Sequence, residues 1–159
     1  MLKLMVAVPL LLALALWIAG QAGLLRGSPP ADLGVQAGRL KPPSATPNSV
    51  SSQADLFPGH PQQAYARIAP LPAPAGAAEL DRIRQAALAL PGASLVQQQP
   101  GYLRIAFQTR WLGFVDDAEF WFDPAAGVVQ LRSASRLGQR DFGVNRQRIE
   151  ALRAQLARG

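Results

Sequence analysis

The 159-residue chain contains no cysteine and only one histidine, His60. The first absence excludes disulfides, thiolate catalysis and zinc–thiolate sites, and the second excludes a centre built from several histidines. Charged residues are also scarce. They make up 16% of the chain, whereas a typical soluble domain contains about 25%. Basic residues outnumber acidic ones by 16 to 10. With no glycine-rich phosphate loop and no zinc-ligand spacing, we expect neither a metal nor a cofactor.

Charged residues are absent from an apolar run at residues 4–25, which Lys3 precedes and Arg26 follows. As a helix the run would span roughly 33 Å, enough for the hydrocarbon core of a bilayer. It predicts a transmembrane anchor over residues 1–25, with the membrane as partner; the alternative is a secretory signal peptide that is cleaved. Both predictions place residues 26–159 outside the cytoplasm, either in the periplasm on an inner-membrane anchor or secreted.

Residues 26–75 hold ten of the fourteen prolines and few large apolar residues. Proline fixes φ and removes a hydrogen-bond donor, so no long helix or central strand fits here. The segment predicts a Pro-rich linker. Apolar residues within it, among them Val50, Ile68 and Leu71, are candidates for packing on the folded domain.

Residues 76–159 carry the patterns of regular secondary structure. Apolar residues recur at helical spacing from Leu80 to Leu90, and a second helix is predicted from Val144. Alternating apolar and polar residues predict four strands, at 94–99, 102–110, 114–123 and 128–136. Because the connections are short, we expect an α+β domain in which a four-stranded antiparallel sheet has both helices packed on one face. The transmembrane or signal helix and the linker precede it.

The alternation also predicts the register of the sheet, since a slip by one residue would turn the wrong face inward. A turn at 124–127 and a loop at 111–114 predict four cross-strand pairs: Glu119 with Arg132, Asp117 with Ala134, Ala106 with Glu119, and Gln108 with Asp117. One face is then apolar, and the other carries charges that we expect to be open to water.

Asp116 is the exception to this division, because it points to the apolar side, opposite Ser135 and near the start of the second helix. A buried charge needs partners. We therefore expect Asp116 to be a buried carboxylate that binds backbone amides or an arginine.

The segment from Arg132 to Arg148 contains five arginines and a single acidic residue, Asp141. Guanidinium groups bind phosphate and carboxylate in a bidentate manner. The cluster predicts a site for an anionic envelope ligand or an acidic protein partner; the alternative is a solvated arginine face with structural ion pairs. Nucleic acid is not expected, because the N-terminal run predicts export.

Asp117 and Glu119 share one face of the third predicted strand. Paired carboxylates can perform acid–base catalysis, as in glycoside hydrolysis. The competing interpretation is a cross-strand ladder of ion pairs with the neighbouring arginines.

Three segments stand out together: PNSVSSQAD at 47–55, FVDDAEFWFD at 114–123 and RSASRLGQRDFGVNRQRIEAL at 132–152. They resemble a bacterial and plastid family, the domain of unknown function fourteen ninety-nine, over about residues 38–157. Many members have an apolar anchor or lipoprotein signal, which implies a membrane-anchored envelope protein. Members commonly have cysteines where this chain has Pro43 and Ser49, so the disulfide that the pair implies is absent here.

The resemblance implies that ten residues form one ligand site or one structural network: Asp116, Asp117, Glu119, Arg132, Ser133, Ser135, Arg136, Asp141, Asn145 and Arg146. We expect a membrane-tethered cell-envelope protein that acts as a non-enzymatic binding or assembly module. The alternative is a carboxylate-dependent envelope hydrolase or transferase that uses Asp117 and Glu119. Whether the chain is an enzyme stays open, and no catalytic residue is assigned.

Overall fold

The N-terminal helix is shorter than the uncharged run. A computed structural model describes residues 2–158, in which α1 covers Leu2–Gln21. The chain then turns, with Gly23 at a φ of 79°, a left-handed conformation that favours glycine. The predicted transmembrane helix is corrected here, because no helix within residues 2–158 combines the length and the apolar character that crossing a membrane requires.

The sheet has six strands, so the prediction of a four-stranded sheet is wrong. The strands are β1 (Ser49–Ser51), β2 (Leu71–Pro72), β3 (Ala93–Gln99), β4 (Tyr102–Gln108), β5 (Val115–Asp123) and β6 (Val128–Ser135). Their order is β1-β6-β5-β4-β3, all antiparallel, and β2 pairs with β6 next to β1. The four longer strands match the predicted ones to within two residues at each end.

The two additional strands come from the Pro-rich linker and pair with the free edge of β6. Three and two residues are too few to show an alternating pattern, so the sequence gives no strand signal there. Proline is tolerated at a sheet edge, where its missing N–H breaks no ladder. Pro72 lies at such an edge, and the proline content that predicted a tether is therefore compatible with strands.

Within residues 2–158 the structure contains three helices and two 3-10 turns besides α1. The predicted helices are α3 (Glu79–Leu88) and α4 (Val144–Leu156), which contact each other and the sheet. A short helix, α2 (Gln63–Ala66), and two 3-10 turns (Ala54–Leu56 and Gly76–Ala78) lie in and after the linker. The prediction of two helices is thus incomplete within residues 2–158.

The hydrophobic core lies between the sheet and the pair α3 and α4. It includes Leu103, Ile105, Phe107, Phe120, Val129 and Leu131 from the strands and Ile83, Ile149 and Leu152 from the helices. Linker residues Val50, Ile68 and Leu71 belong to the same cluster. The linker therefore contributes apolar burial to the domain, a substantial gain for a core of this small size.

The register agrees with the prediction on one side of β5 and differs on the other. Glu119 pairs with Arg132 and Asp117 with Ala134, as predicted. Asp117, not Glu119, lies opposite Ala106. The reason is the length of the connection between β4 and β5. Thr109 N–H donates to Phe114 O and closes a six-residue loop at 109–114, where the sequence predicts four residues at 111–114. The pairing therefore shifts by two residues, and because this number is even, each side chain stays on its predicted face.

The charged face of the sheet is buried, contrary to the expectation that it is open to water. Asp117 and Glu119 are 2% and 0% exposed. The linker crosses over this face: Gly34 N–H donates to Glu119 Oε1 at 2.7 Å, and Arg132 Nε donates to Pro42 O at 3.2 Å. An alternating strand pattern cannot reveal a covering segment that is far away in sequence.

Candidate functional site

The ten candidate residues lie on both sides of the sheet and do not converge on one point. Five are on the helix side, where they surround the start of α4: Asp116, Ser133, Ser135, Asp141 and Asn145. Four lie under the linker on the other face: Asp117, Glu119, Arg132 and Arg136. Arg146 lies apart from both groups, because it donates to the carbonyl oxygens of Tyr65 and Arg67.

Asn145 is the centre of the helix-side group and is fully buried. Its Nδ2 donates to Asn48 O, Ser135 Oγ and Asp141 Oδ2 at 3.0–3.2 Å. Its Oδ1 accepts from Ser133 Oγ and from Arg148 Nη1. We call these residues the Asn145 network. Its hydrogen bonds join the linker, β6 and the first turn of α4, and a buried polar network of this kind favours one packing arrangement.

Arg148 links this network to Asp116. Its Nη2 donates to Asp116 Oδ2 at 2.6 Å, and its guanidinium lies 4.6 Å from the centre of the Phe107 ring. The prediction that Asp116 is a buried carboxylate bound by an arginine is confirmed, since Asp116 is 5% exposed.

Asp141 holds the beginning of α4. Its carboxylate accepts the N–H groups of Gly143 and Asn145 at 3.0 Å each and the hydroxyl of Tyr65. Burial alone would raise the pKa of Asp141, but these hydrogen bonds outweigh it and hold the pKa below the ordinary value. The ionised carboxylate is therefore structural here, because it satisfies amides at a helix start that have no intrahelical partner.

On the other face, Asp117 and Arg136 form a bidentate pair, with bonds of 2.7 and 2.9 Å. The hydrogen bond that Arg136 donates to Asp117 is the main cause that raises the pKa of Arg136 above its ordinary value. Both carboxylate oxygens of Asp117 thus accept from the same guanidinium.

Glu119 lies deepest on this face. Its Oε1 accepts from Gly34 N–H and from the Tyr102 hydroxyl at 2.8 Å. Its Oε2 lies 3.7 Å from Nη1 of Arg132, which is 3% exposed. Burial, with the charge of Glu119, raises the pKa of Tyr102, and burial lowers that of Arg132.

Most arginines of the segment 132–148 bind other groups of the same chain. Arg132, Arg136, Arg146 and Arg148 each contact a carboxylate or a carbonyl oxygen within the chain. Arg140 differs from them: it is exposed, and within residues 2–158 it makes no salt bridge and no side-chain hydrogen bond. Arg140 is therefore the arginine of this segment that is available to an external anion.

An open cleft of about 280 Å³ lies beside Arg140. We call it the α4 cleft. Its walls are the loop 109–114 and the segment 137–144, and they contribute Thr109, Phe114, Leu137, Gly138, Arg140, Phe142 and Val144. Three candidate residues also line it: Asp116, Ser135 and Asp141. The volume is near the lower end of that of small-molecule sites, about 300–1,000 Å³.

Phe142 is the most unusual residue of the cleft. It is 88% exposed, and its φ is +52°, a left-handed conformation that a bulky residue rarely adopts. Strained positions of this kind concentrate at functional sites. The side chain is not buried, so packing in the core does not account for an aromatic residue at this position.

The N-terminal segment packs against both walls of the cleft. Gly20 lies so close to the loop 109–114 that an added Cβ would be 2.6 Å from Leu112 O, and Gln21 Nε2 donates to Trp111 O at 3.2 Å. On the other wall, a Cβ at Gly27 would be 2.8 Å from Leu137 Cγ. Glycine is required at both positions for this close approach.

Sequence reasoning missed two residues that line the cleft, Arg140 and Phe142. Arg140 was part of the arginine cluster but was not among the ten candidates, and Phe142 was not considered. The signal that was present is the set of apolar residues Leu137, Phe142 and Val144 in a basic segment that contains Gly138 and Gly143. Tyr65 and Tyr102 were also missed, because their partners are far away in sequence.

Fold and site together define a small α+β protein whose polar clusters are internally paired and whose α4 cleft is open. Within residues 2–158, no group of three or more His, Cys, Asp or Glu residues is arranged to hold a metal ion. Residues 39–156 match the family described as Protein of unknown function (DUF1499), and the chain belongs to this family. The predicted family is thus confirmed. No curated protein and no solved structure matches the chain.

Proposed function

We propose that the protein is a non-enzymatic binding module whose ligand enters the α4 cleft. The observation that carries the proposal is Phe142, which is exposed and strained at the cleft mouth. A residue that costs stability without packing in the core is expected where binding requires it.

The ligand is amphiphilic and anionic. Phe114, Leu137, Phe142 and Val144 offer apolar walls, and Arg140 offers an unpaired guanidinium at the edge. A short acyl chain with a carboxylate or phosphate group matches both features, since apolar area is removed from water while the anion meets Arg140.

The burial of the acidic residues favours binding over carboxylate catalysis. Arg136 occupies both oxygens of Asp117, and Glu119 is fully buried beneath the linker. A general acid or base must lie within hydrogen-bonding reach of a substrate. We therefore place the alternative of an envelope hydrolase or transferase behind the binding module.

The test uses octanoate, titrated calorimetrically into the full chain and its variants. We expect Phe142→Gly to weaken octanoate binding about tenfold, because the ring no longer covers the chain. The same variant should unfold at a higher urea concentration, with a gain of about 1 kcal/mol, because glycine adopts a positive φ without strain. Unchanged octanoate affinity in Phe142→Gly would remove the basis of the proposal.

Three control variants separate the contributions of the aromatic ring, the backbone strain and the charge. Phe142→Ala should lose as much affinity as Phe142→Gly but gain no stability, because alanine keeps the Cβ. Arg140→Ala should weaken octanoate about threefold and leave octanol unaffected, as expected for an exposed ion pair. Arg158→Ala removes an exposed charge at the far end of α4 and should change neither affinity.

We also propose that the folded domain lies in the cell envelope. The short basic start and the uncharged run at residues 4–25 are typical of segments that direct export, and they support placing residues 26–159 outside the cytoplasm. An alkaline phosphatase reporter fused after residue 159 tests this, because the reporter is active only outside the cytoplasm. An inactive but intact fusion would contradict the proposed location.

A further inference from the structure

Asp116 has an oxygen that the internal contacts leave unused. Arg148 binds Oδ2, while Oδ1 accepts no hydrogen bond from any residue between 2 and 158. Some side-chain oxygens and nitrogens within residues 2–158 have neither a hydrogen-bond partner nor contact with solvent. Oδ1 of Asp116 is not one of them, so this unpaired atom is accessible to solvent. Since Asp116 is 95% buried and lines the α4 cleft, this oxygen opens onto the cleft.

Ser135 provides the complementary group beside it. Ser135 lies directly opposite Asp116 in the sheet and also lines the cleft. Its Oγ accepts from Asn145 Nδ2, and within residues 2–158 the hydroxyl donates no hydrogen bond. The floor of the cleft therefore presents an acceptor, Asp116 Oδ1, next to a donor, the Ser135 hydroxyl.

We infer that the ligand of the α4 cleft carries an amide group. An amide N–H is a neutral donor that matches Asp116 Oδ1; because the C=O of a trans amide points away from its N–H, the Ser135 hydroxyl is left for another acceptor of the ligand. The pair Asp116–Arg148 is neutral overall, so a neutral hydrogen-bonding group fits the floor better than an ammonium does. This inference rests on the proposed function: the apolar part lies on the walls, the amide on the floor and the anion at Arg140.

Two kinds of molecule share this chemistry, namely acylated amino acids and the C-terminal ends of apolar peptides. N-octanoylglycine represents the first, because its apolar part is the acyl chain. N-acetyl-leucine represents the second, because its apolar part is the side chain next to the carboxylate. Whichever compound binds more tightly shows whether the ligand is an acylated amino acid or the C-terminal end of an apolar peptide.

The decisive comparison replaces a single N–H. N-octanoylglycine and its ester analogue, octanoyl glycolate, differ only in that an oxygen replaces the amide N–H. A hydrogen bond to an ionised carboxylate in a buried site is strong, so we expect the amide to bind the full chain at least about tenfold more tightly than the ester. No variant is needed, and the comparison does not depend on how Asp116 variants fold.

The possible results are distinguishable. If the amide and the ester bind equally while octanoate binds in a Phe142-dependent manner, the amide inference is wrong and the binding module stands. If octanoate, the amide and the ester all fail to bind, both the inference and the proposed function are wrong.

Discussion

Replacing Asn145 by alanine should lower the free energy of unfolding by about 3 kcal/mol. The residue is fully buried and makes five side-chain hydrogen bonds. Its loss leaves buried partners unsatisfied, Ser133 among them, and each unsatisfied buried group costs about 1–3 kcal/mol. Urea unfolding followed by circular dichroism measures the change, with an unaltered slope in urea expected if the two-state transition is kept.

A matched variant on the same helix controls for local helix effects. Gln147 is exposed two residues further along α4, and Gln147→Ala should change stability by no more than about 0.5 kcal/mol. A loss below about 1 kcal/mol for Asn145→Ala would mean that the network does not hold α4 to the sheet, and that the cleft wall built by residues 137–144 has another support.

Replacing Glu119 by glutamine should cost about 3 kcal/mol or more. The substitution preserves shape but leaves the guanidinium of Arg132, 3% exposed, without its opposite charge. Breaking a buried ion pair on one side typically costs about 3–5 kcal/mol, because an uncompensated charge stays buried. Thermal and urea unfolding of the full chain both report the loss.

Removing both charges distinguishes the ion pair from simple packing. Glu119→Gln combined with Arg132→Met should recover at least half of the lost stability, because no buried charge is left unpaired. Glu150→Gln breaks an exposed pair with Arg153 and should have an effect of at most about 0.5 kcal/mol. A double variant less stable than Glu119→Gln would contradict this account of the linker-covered face.

The longer strands and α4 were predictable because the information lies within each segment. The alternation around Phe120 specifies which face is buried, and the turn at 124–127 specifies that Glu119 pairs with Arg132. A one-residue slip would reverse the faces, so this register has little freedom. The same reasoning predicts that Asp116 is a buried carboxylate, although it does not identify Arg148 as its partner.

What the sequence did not reveal depends on contacts between distant segments. β1 and β2 are edge strands of three and two residues whose pairing partners in β6 lie 56 to 85 residues away. The burial of Glu119 depends on Gly34, 85 positions earlier in the chain. Charges on an alternating strand are normally solvated, and here the linker supplies their partners.

The candidate site was predictable in composition but not in arrangement. Ser133, Ser135, Asp141 and Asn145 itself were among the ten candidates, whereas Asn48 and Arg148 of the same network were not. The sheet separates this network from Asp117 and Glu119. Phe142 was missed because a single exposed aromatic in a loop has no periodic signal, and its positive φ is visible only in the structure.

The central claim is that the α4 cleft is the binding site, and ¹⁵N-resolved NMR of the full chain titrated with octanoate tests it most directly. The account predicts saturable shift changes centred on residues 109–116 and 135–144, and a titration midpoint about tenfold higher in Phe142→Gly. Shift changes that leave both segments unaffected, or that occur only along the exposed apolar side chains of α1, would contradict it.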